Sequence, residues 1–212
     1  PTGSRACDRS VDWFLEKFRQ AGADLAWTEP FPVPHRWDED RTTARLASSE
    51  TATLDAVAMP YSAATPKGGI ERDVVFVGAG SAEELESAGA RLRGALLLLD
   101  SKVLVTFEDL FGDYLRMPAI MQRAEAAGAA GILVVGARDR HLLYRHISTF
   151  GWPAPLPMAI LAREDGLRLA RMAQDGGVRL RLEVTARTGP AYRSRNVLAE
   201  ILSRKEAATF VR

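Results

Sequence analysis

Three histidines and their acidic neighbours are the first residues in this 212-residue chain that could bind a metal. His141 and His146 form the densest group, with Asp139 close by. The two histidines are five residues apart, whereas a helix presents zinc ligands on one face at positions i and i+4. We therefore interpret residues 139–146 as polar surface, and we predict neither a metal site nor a catalytic residue in this chain.

A short glycine-rich segment, Gly78-Ala79-Gly80, follows an apolar run and resembles a dinucleotide-binding turn. The third glycine of that motif is replaced here by Glu83, which would put a carboxylate where the pyrophosphate lies. Ser81 and Glu84 instead have the spacing of a helix capping box. The segment therefore predicts the start of a short helix and no nucleotide site.

The composition excludes several classes of protein. The chain has 28 Lys and Arg against 27 Asp and Glu, and 47% of its residues are hydrophobic. Such a balanced charge gives no field that would attract nucleic acid or an anionic membrane. No apolar run is long enough to span a bilayer. We therefore expect a globular protein with no nucleic-acid partner and no membrane span.

One long segment, residues 137–155, combines basic and aromatic side chains. An arginine offers a planar fork for carboxylates, and a tyrosine offers a large rigid contact. Loops of this length in compact domains are often functional. Two interpretations stay open. The segment is either a loop that lines a cleft or an interface, or a basic loop that only contacts solvent. In the first case the candidate site residues are Arg138, Arg140, Tyr144, Arg145 and His146.

Hydrophobic periodicity predicts the elements that would position this loop. We expect an amphipathic helix from Cys7 to Ala21, capped by Asp8, and a second helix that begins at Pro118 and ends at Gly128. Continuous apolar runs predict buried strands. Those runs are residues 95–99 and 131–135, with shorter or alternating runs at 43–46, 52–59, 72–77 and 178–184 and a further helix at 164–175. The pattern is typical of a mixed α/β fold.

An ordered set of motifs resembles a known family. Residues 117–136 contain a predicted helix, then the sequence Ala-Gly-Ala-Ala-Gly, then the strand sequence Ile-Leu-Val-Val. Residues 156–161 resemble the next strand, and the sequence Arg-Glu-Asp-Gly at residues 163–166 resembles the start of the next helix. Both resemble the core of a protease-associated (PA) domain. The segments at residues 2–31 and 194–201 are similar to those that flank such a domain in M28 zinc metallopeptidases. The order is most similar to the carboxypeptidase Q-like branch.

The resemblance implies a domain organisation. Residues 38–190 would form the PA domain, mostly a β-sheet or open barrel with two or three packed helices. Residues 1–37 would be the amino-terminal segment of an M28 peptidase domain. Residues 191–212 would be a truncated return strand into that domain.

The resemblance also implies an accessory function. In the family, zinc ligands begin in a His-x-Asp segment soon after the strand that matches residues 194–201, and this chain has none there. We therefore expect the non-catalytic portion of a secreted or periplasmic zinc exopeptidase, inactive alone, with zinc in the parent peptidase. Its partners would be the catalytic domain, the peptide substrate and a second copy in a homodimer. The alternative is a free-standing module that binds peptides or proteins.

Overall fold

The computed structural model describes residues 5–47, 52–145, 149–175 and 177–202. These residues contain four α-helices and ten strands, so the predicted mixed α/β fold is confirmed. None of the helices there is long and apolar enough to cross a bilayer. The elements are α1 (Arg5–Gln20), β1 (Leu25–Val33), β2 (Arg36–Leu46), β3 (Thr53–Leu54), β4 (Ala56–Ala58), β5 (Ile70–Phe76), α2 (Ala82–Ala88), a 3₁₀ turn (Gly89–Leu92), β6 (Leu96–Leu99), α3 (Phe107–Ala126), β7 (Gly131–Val135), β8 (Met158–Leu161), α4 (Arg163–Asp175), β9 (Arg179–Gly189) and β10 (Tyr192–Glu200).

The chain forms two compact units, one from residues 39–188 and one from residues 1–38 together with 189–212. In the smaller unit β1 pairs with β10 in an antiparallel ladder from Leu25 opposite Glu200 to Val33 opposite Tyr192. At the end of the ladder the Arg36 backbone N–H donates to the Pro190 carbonyl at 3.1 Å. The larger unit is therefore inserted between two strands that pair with each other.

Helix α1 lies on the β1–β10 ladder. It begins at Arg5, so the predicted cap Asp8 lies in the first helical turn instead, where a carboxylate is stabilised by the helix dipole. The predicted stop is confirmed, because Gly22 adopts a φ of 87° just beyond the last turn. Val11 is buried, whereas Trp13 and Phe14 are about half exposed.

The larger unit is built on an eight-stranded sheet with the order β3-β2-β9-β5-β6-β7-β8-β4. The strands β5, β6, β7 and β8 run parallel, and β5 pairs antiparallel with β9 on its other side. β6 and β7 are buried along their whole length, as predicted from their continuous apolar runs. β8 is also fully buried.

Both faces of the parallel strands are covered by helices. On one face Met117, Ile120 and Ala124 of α3 pack in a cluster with residues of α2, β6 and β7. On the other face α4 approaches β7 so closely that a Cβ at Gly166 would lie 3.0 Å from a Val135 methyl carbon. Since successive strand residues point to opposite faces, the apolar run of β7 serves both helices.

Helix α3 differs from its prediction. It begins at Phe107, so Pro118 lies within the helix and not at its first position. The start is set by a second capping box, in which Thr106 accepts from the Asp109 N–H and Asp109 accepts from the Thr106 N–H. The predicted end is confirmed, because Gly128 has a φ of 73° and donates to the Glu125 carbonyl.

Candidate functional site

The parallel strands β5 to β8 all end at one edge of the sheet. In open α/β sheets, ligands bind in crevices outside the carboxyl ends of such strands. Here the segments that follow the four strands are residues 77–81, 100–102, 136–145 and 162–165. This edge therefore carries both the predicted loop and the charged residues at the start of α3.

A cavity of about 430 Å³ opens at this edge, within the larger unit. It lies between the turn after β5, the turn after β6 and the first three turns of α3. Its lining is mostly charged and consists of Ala79, Asp100, Lys102, Glu108, Asp109, Gly112, Asp113 and Arg116. A pocket of this size can hold a small ligand, and its charged side chains can bind a charged or polar group of that ligand.

Asp109 organises one side of the cavity. It forms an ion pair with Lys102 and accepts the backbone N–H groups of Val105 and Thr106, each at 3.1 Å. The Lys102 ammonium, followed by these backbone donors, holds the pKa of Asp109 far below its usual range. The carboxylate therefore stays ionised and ties the β6–α3 connection to the helix.

Arg116 organises the other side. Its Nε donates to Oδ1 of the buried Asp113 at 2.8 Å, and its Nη1 donates to the Ala79 carbonyl at 2.6 Å. Charge-assisted hydrogen bonds of this kind have defined geometry. Arg116 therefore holds the middle of α3 against the turn that follows β5.

The predicted loop begins directly after β7, and two of its predicted residues, Arg138 and Tyr144, come together. The Arg138 guanidinium lies 5.2 Å from the centre of the Tyr144 ring, within cation–π range. Arg138 also donates to the Leu104 carbonyl. The cation–π contact and the hydrogen bond therefore both stiffen the loop.

Arg145 makes a separate contact. It pairs with Glu39 of β2, whose side chain is only 10% exposed. Glu39 also accepts the Ala58 N–H at 2.9 Å. Arg145 thus neutralises a nearly buried carboxylate, a structural contact that the sequence alone did not reveal.

Arg140 and His141 form a tight turn held by helix α4. Both have positive φ, 65° and 53°, and both backbone N–H groups donate to Glu164, at 2.6 and 3.1 Å. The Glu164 backbone N–H, followed by those of His141 and Arg140, holds the pKa of Glu164 below its usual value. The turn leaves the Arg140 residue exposed to solvent. His146, the fifth predicted residue, lies outside the described residues.

His141 meets acidic residues other than the predicted one. Its Nδ1 is 3.1 Å from Oδ2 of Asp55, and Asp165 accepts the Asp55 N–H at 2.8 Å. Ligand atoms of these three residues all lie within 4.8 Å of one another. Asp139, which the sequence placed with His141, instead lies 3.5 Å from Arg163.

The three residues Asp55, His141 and Asp165 do not fit a catalytic zinc centre. Such a centre holds its metal in a shaped cavity that limits access of water. Here the side chains of His141 and Asp55 are 49% and 63% exposed, and they lie in hydrogen-bonding distance of each other. Asp55 lies between β3 and β4, and Asp165 lies in α4. The contacts of these residues with His141 therefore have a structural role, because they join the loop to those elements.

Sequence reasoning missed the residues that line the cavity. The signal for them was present in the Thr106-x-x-Asp109 capping box and in the apolar positions that follow it at helical spacing. The pairing of Lys102 with Asp109 then follows from the short connection between β6 and α3. Arg116 could not have been assigned, because its partner Ala79 is 37 residues away.

Comparison with known proteins identifies similar solved structures. No protein-family model and no curated protein match this sequence. A peptidase M28 precursor from Shewanella amazonensis superposes with a TM-score of 0.71 at 23% identity, over 94% of this chain and 46% of that one. An aminopeptidase from Aneurinibacillus sp. strain AM-1 gives a TM-score of 0.59 at 19% identity, over 93% and 43%. BSAP, a zinc aminopeptidase from Bacillus subtilis, gives 0.63 at 20% identity, over 93% and 41%.

These similarities establish the fold. The chain adopts an architecture found in M28 peptidases and zinc aminopeptidases, and it matches them over nearly its whole described length. It spans less than half the length of each of these three structures.

Proposed function

We propose that this chain is the non-catalytic, protease-associated portion of a zinc-dependent M28 exopeptidase, an amino- or carboxypeptidase. In that protein it would shape access of peptide substrates and supply domain or dimer contacts. The observation that carries the proposal is the β1–β10 ladder, which pairs the two segments that flank the larger unit in the sequence. The fold shared with three peptidases over 93–94% of the chain supports it.

The proposed domain boundaries follow the same observation. Residues 1–37 and 191–212 would be parts of the peptidase domain, and residues 38–190 would be the PA domain. The compact units of the structure, with divisions at residues 38 and 189, support these boundaries. A two-stranded ladder with one helix is marginal by itself, so the smaller unit would gain stability from further strands of a peptidase domain.

Zinc would belong to the rest of the peptidase. Zinc exopeptidases need a metal with an open coordination position and a carboxylate that activates water. The one group of three His, Asp or Glu ligands found among the described residues, Asp55, His141 and Asp165, does not fit that role. This chain would contribute shape and contacts, in a secreted or periplasmic enzyme.

The loop after β7 would be the candidate cleft or interface element. Arg138 and Tyr144 stiffen it, Arg145 ties it to β2, and the exposed Arg140 would be the residue available to a substrate or partner. A peptide's terminal carboxylate is a natural ligand for a guanidinium fork. His146 belongs to the same proposed loop.

Two experiments test the proposed function. The first measures zinc and peptide hydrolysis for the purified chain alone, and we expect neither. Stoichiometric zinc together with turnover would refute a non-catalytic role.

The second experiment uses the longer product of the encoding gene. Residues 37–189 are replaced by an Asn-Gly turn, because Arg36 and Pro190 are already hydrogen-bonded neighbours. We expect the shortened enzyme to retain hydrolysis of dipeptides and to lose discrimination between short and long peptides. Unchanged kcat/KM ratios would contradict a role in substrate access, and a gene product that ends here and binds peptides would favour the free-standing module.

A further inference from the structure

The larger unit exposes an apolar surface that its own fold does not cover. Five of its large side chains, each more than half exposed, lie on α3 and on the turn at residues 149–152, and we call them the α3 aromatic surface. They are Phe107 at 68%, Phe111 at 51%, Leu115 at 72%, Phe150 at 59% and Trp152 at 61%. Single exposed apolar residues are normal, but several on one helix face and the neighbouring turn mark a binding surface.

The residues of this surface are spatially organised. Phe107, Phe111 and Leu115 recur every four residues and so share one face of α3. The Phe107 and Phe111 rings lie 5.3 Å apart, and the Tyr114 ring lies 5.8 Å from that of Phe150. Tyr114 therefore connects the helix to the turn at residues 149–152.

That turn holds its aromatic rings outward. Thr149 is buried, and its hydroxyl lies 3.4 Å from the Pro60 carbonyl. The backbone N–H of Trp152 donates to the Thr149 carbonyl at 3.1 Å. Phe150 has a φ of 52°, a left-handed conformation that bulky residues adopt only where the surroundings impose it. The display of Phe150 and Trp152 is thus a property of the anchored turn.

The area of the surface limits the size of its ligand. At the stated exposures these five side chains present about 600 Å². Stable protein interfaces bury about 600–1,000 Å² from each partner. The α3 aromatic surface lies at the lower end of that range, so a short peptide segment can cover it, and its area by itself also admits a second copy.

The charge of the cavity beside the surface restricts the class of ligand. The cavity described above is lined by Glu108 and Gly112, which alternate with Phe107 and Phe111 along α3, so it adjoins the aromatic surface. Its lining holds four carboxylates, Asp100, Glu108, Asp109 and Asp113, and two cations, Lys102 and Arg116. Two negative charges are left uncompensated, which favours a cationic group in the cavity.

We propose that the α3 aromatic surface and the adjoining cavity bind a peptide segment that has apolar side chains and a positive charge. The apolar side chains lie on Phe107, Phe111 and Trp152, and the cation lies in the cavity near Glu108. The inference deepens the proposed function and rests on it for its biological role, since such a site would select which peptides approach the peptidase.

Binding of blocked tripeptides to the full chain tests the proposal. The probe is Ac-Leu-Leu-Lys-NH₂, and the comparison peptides are Ac-Ser-Ser-Lys-NH₂ and Ac-Leu-Leu-Glu-NH₂. Titrations followed by ¹H–¹⁵N NMR give the Kd and the residues affected. We expect a Kd of about 1 mM or tighter for the first peptide and binding about tenfold weaker for the other two.

A matched pair of variants assigns the site. Phe111→Ser removes an aromatic ring that is 51% exposed on α3, and Phe14→Ser removes one that is 49% exposed on α1. We expect Phe111→Ser to weaken Ac-Leu-Leu-Lys-NH₂ about tenfold and Phe14→Ser to leave it unchanged. Glu108→Gln should reduce the preference for lysine over glutamate several-fold without affecting the fold, because Glu108 is exposed.

Three results would overturn the proposal. The first is that no peptide shows saturable binding up to about 10 mM. The second is equal binding of the Leu-Leu and Ser-Ser peptides. The third is a rise in mass by light scattering that Phe111→Ser abolishes, because that result would assign the surface to a second copy. The measurement needs neither zinc nor hydrolysis. Failure of peptide binding is therefore distinguishable from failure of the domain-replacement experiment.

Discussion

Gly136, the residue just before the predicted loop, lies where β7 meets β8 with no room for a side chain. A Cβ at this position would be 2.6 Å from the Leu161 carbonyl oxygen and 3.3 Å from the Arg163 nitrogen. The Gly136 N–H donates to that same carbonyl at 2.9 Å, so the two strands cannot separate without losing a buried hydrogen bond. The Gly136→Ala substitution therefore forces apart the strands that support the loop.

The magnitude follows from two terms. Overpacking a dense core costs about 1–3 kcal/mol, and the lost hydrogen bond adds about 1 kcal/mol. We expect Gly136→Ala to lower the free energy of unfolding by about 2–4 kcal/mol, which corresponds to a fall of about 4–16 °C in Tm for a unit of this size. Thermal unfolding followed by circular dichroism measures the change.

Gly112 provides the matched control. It lies in α3, and a Cβ there would meet nothing within 4 Å. Gly112→Ala should raise the free energy of unfolding by about 1 kcal/mol, the difference in helix propensity between the two residues. A Gly136→Ala protein as stable as the wild type would refute the close approach of β7 to β8.

The remaining predictions concern charged groups. Arg145→Met leaves the nearly buried Glu39 without its cation, so it should lower the free energy of unfolding, measured in urea, by about 1–3 kcal/mol. The control Arg41→Met removes a side chain that is 63% exposed, and it should lower the free energy of unfolding by less than about 1 kcal/mol. Equal losses would show that the Glu39 pair is no stronger than a surface pair. The folded-state pKa values of Asp109 and Glu164 are depressed. Their stabilising contribution is therefore fully present above about pH 5, and it is lost progressively as the pH falls from about 4 through the depressed folded-state pKa values, because the unfolded state takes up protons first. Asp109→Asn should flatten the acid-side fall in Tm, and an unchanged slope would contradict the ion pair with Lys102.

Local patterns were sufficient for many elements of the fold. The Ser81 capping box, the burial of β6 and β7, and the glycine that follows α3 were predicted correctly, because each depends on residues within one or two turns of one another. The alternation of Val178, Leu180, Leu182 and Val184 also predicted β9, since a strand with one buried face needs a period of two.

Helix α3 shows how a strong local signal misleads. Pro118 is favourable at a first helical position, yet the helix begins eleven residues earlier at Phe107. The Thr106 capping box, Arg116 bound to the Ala79 carbonyl, and the burial of Met117 in the core stabilise the earlier turns. Tertiary packing supplies most of the stability of a helix in a protein, so it outweighed the preference of one proline.

The sequence by itself determined that this is a mixed α/β chain and that one basic, aromatic loop follows a buried strand, because side-chain periodicity is a local property. Only the tertiary structure decided what the loop residues do. Arg145 reaches Glu39 across 106 positions and His141 reaches Asp55 across 86. Which charges meet depends on the order of strands in the sheet, and that order is chosen by the burial of the whole core.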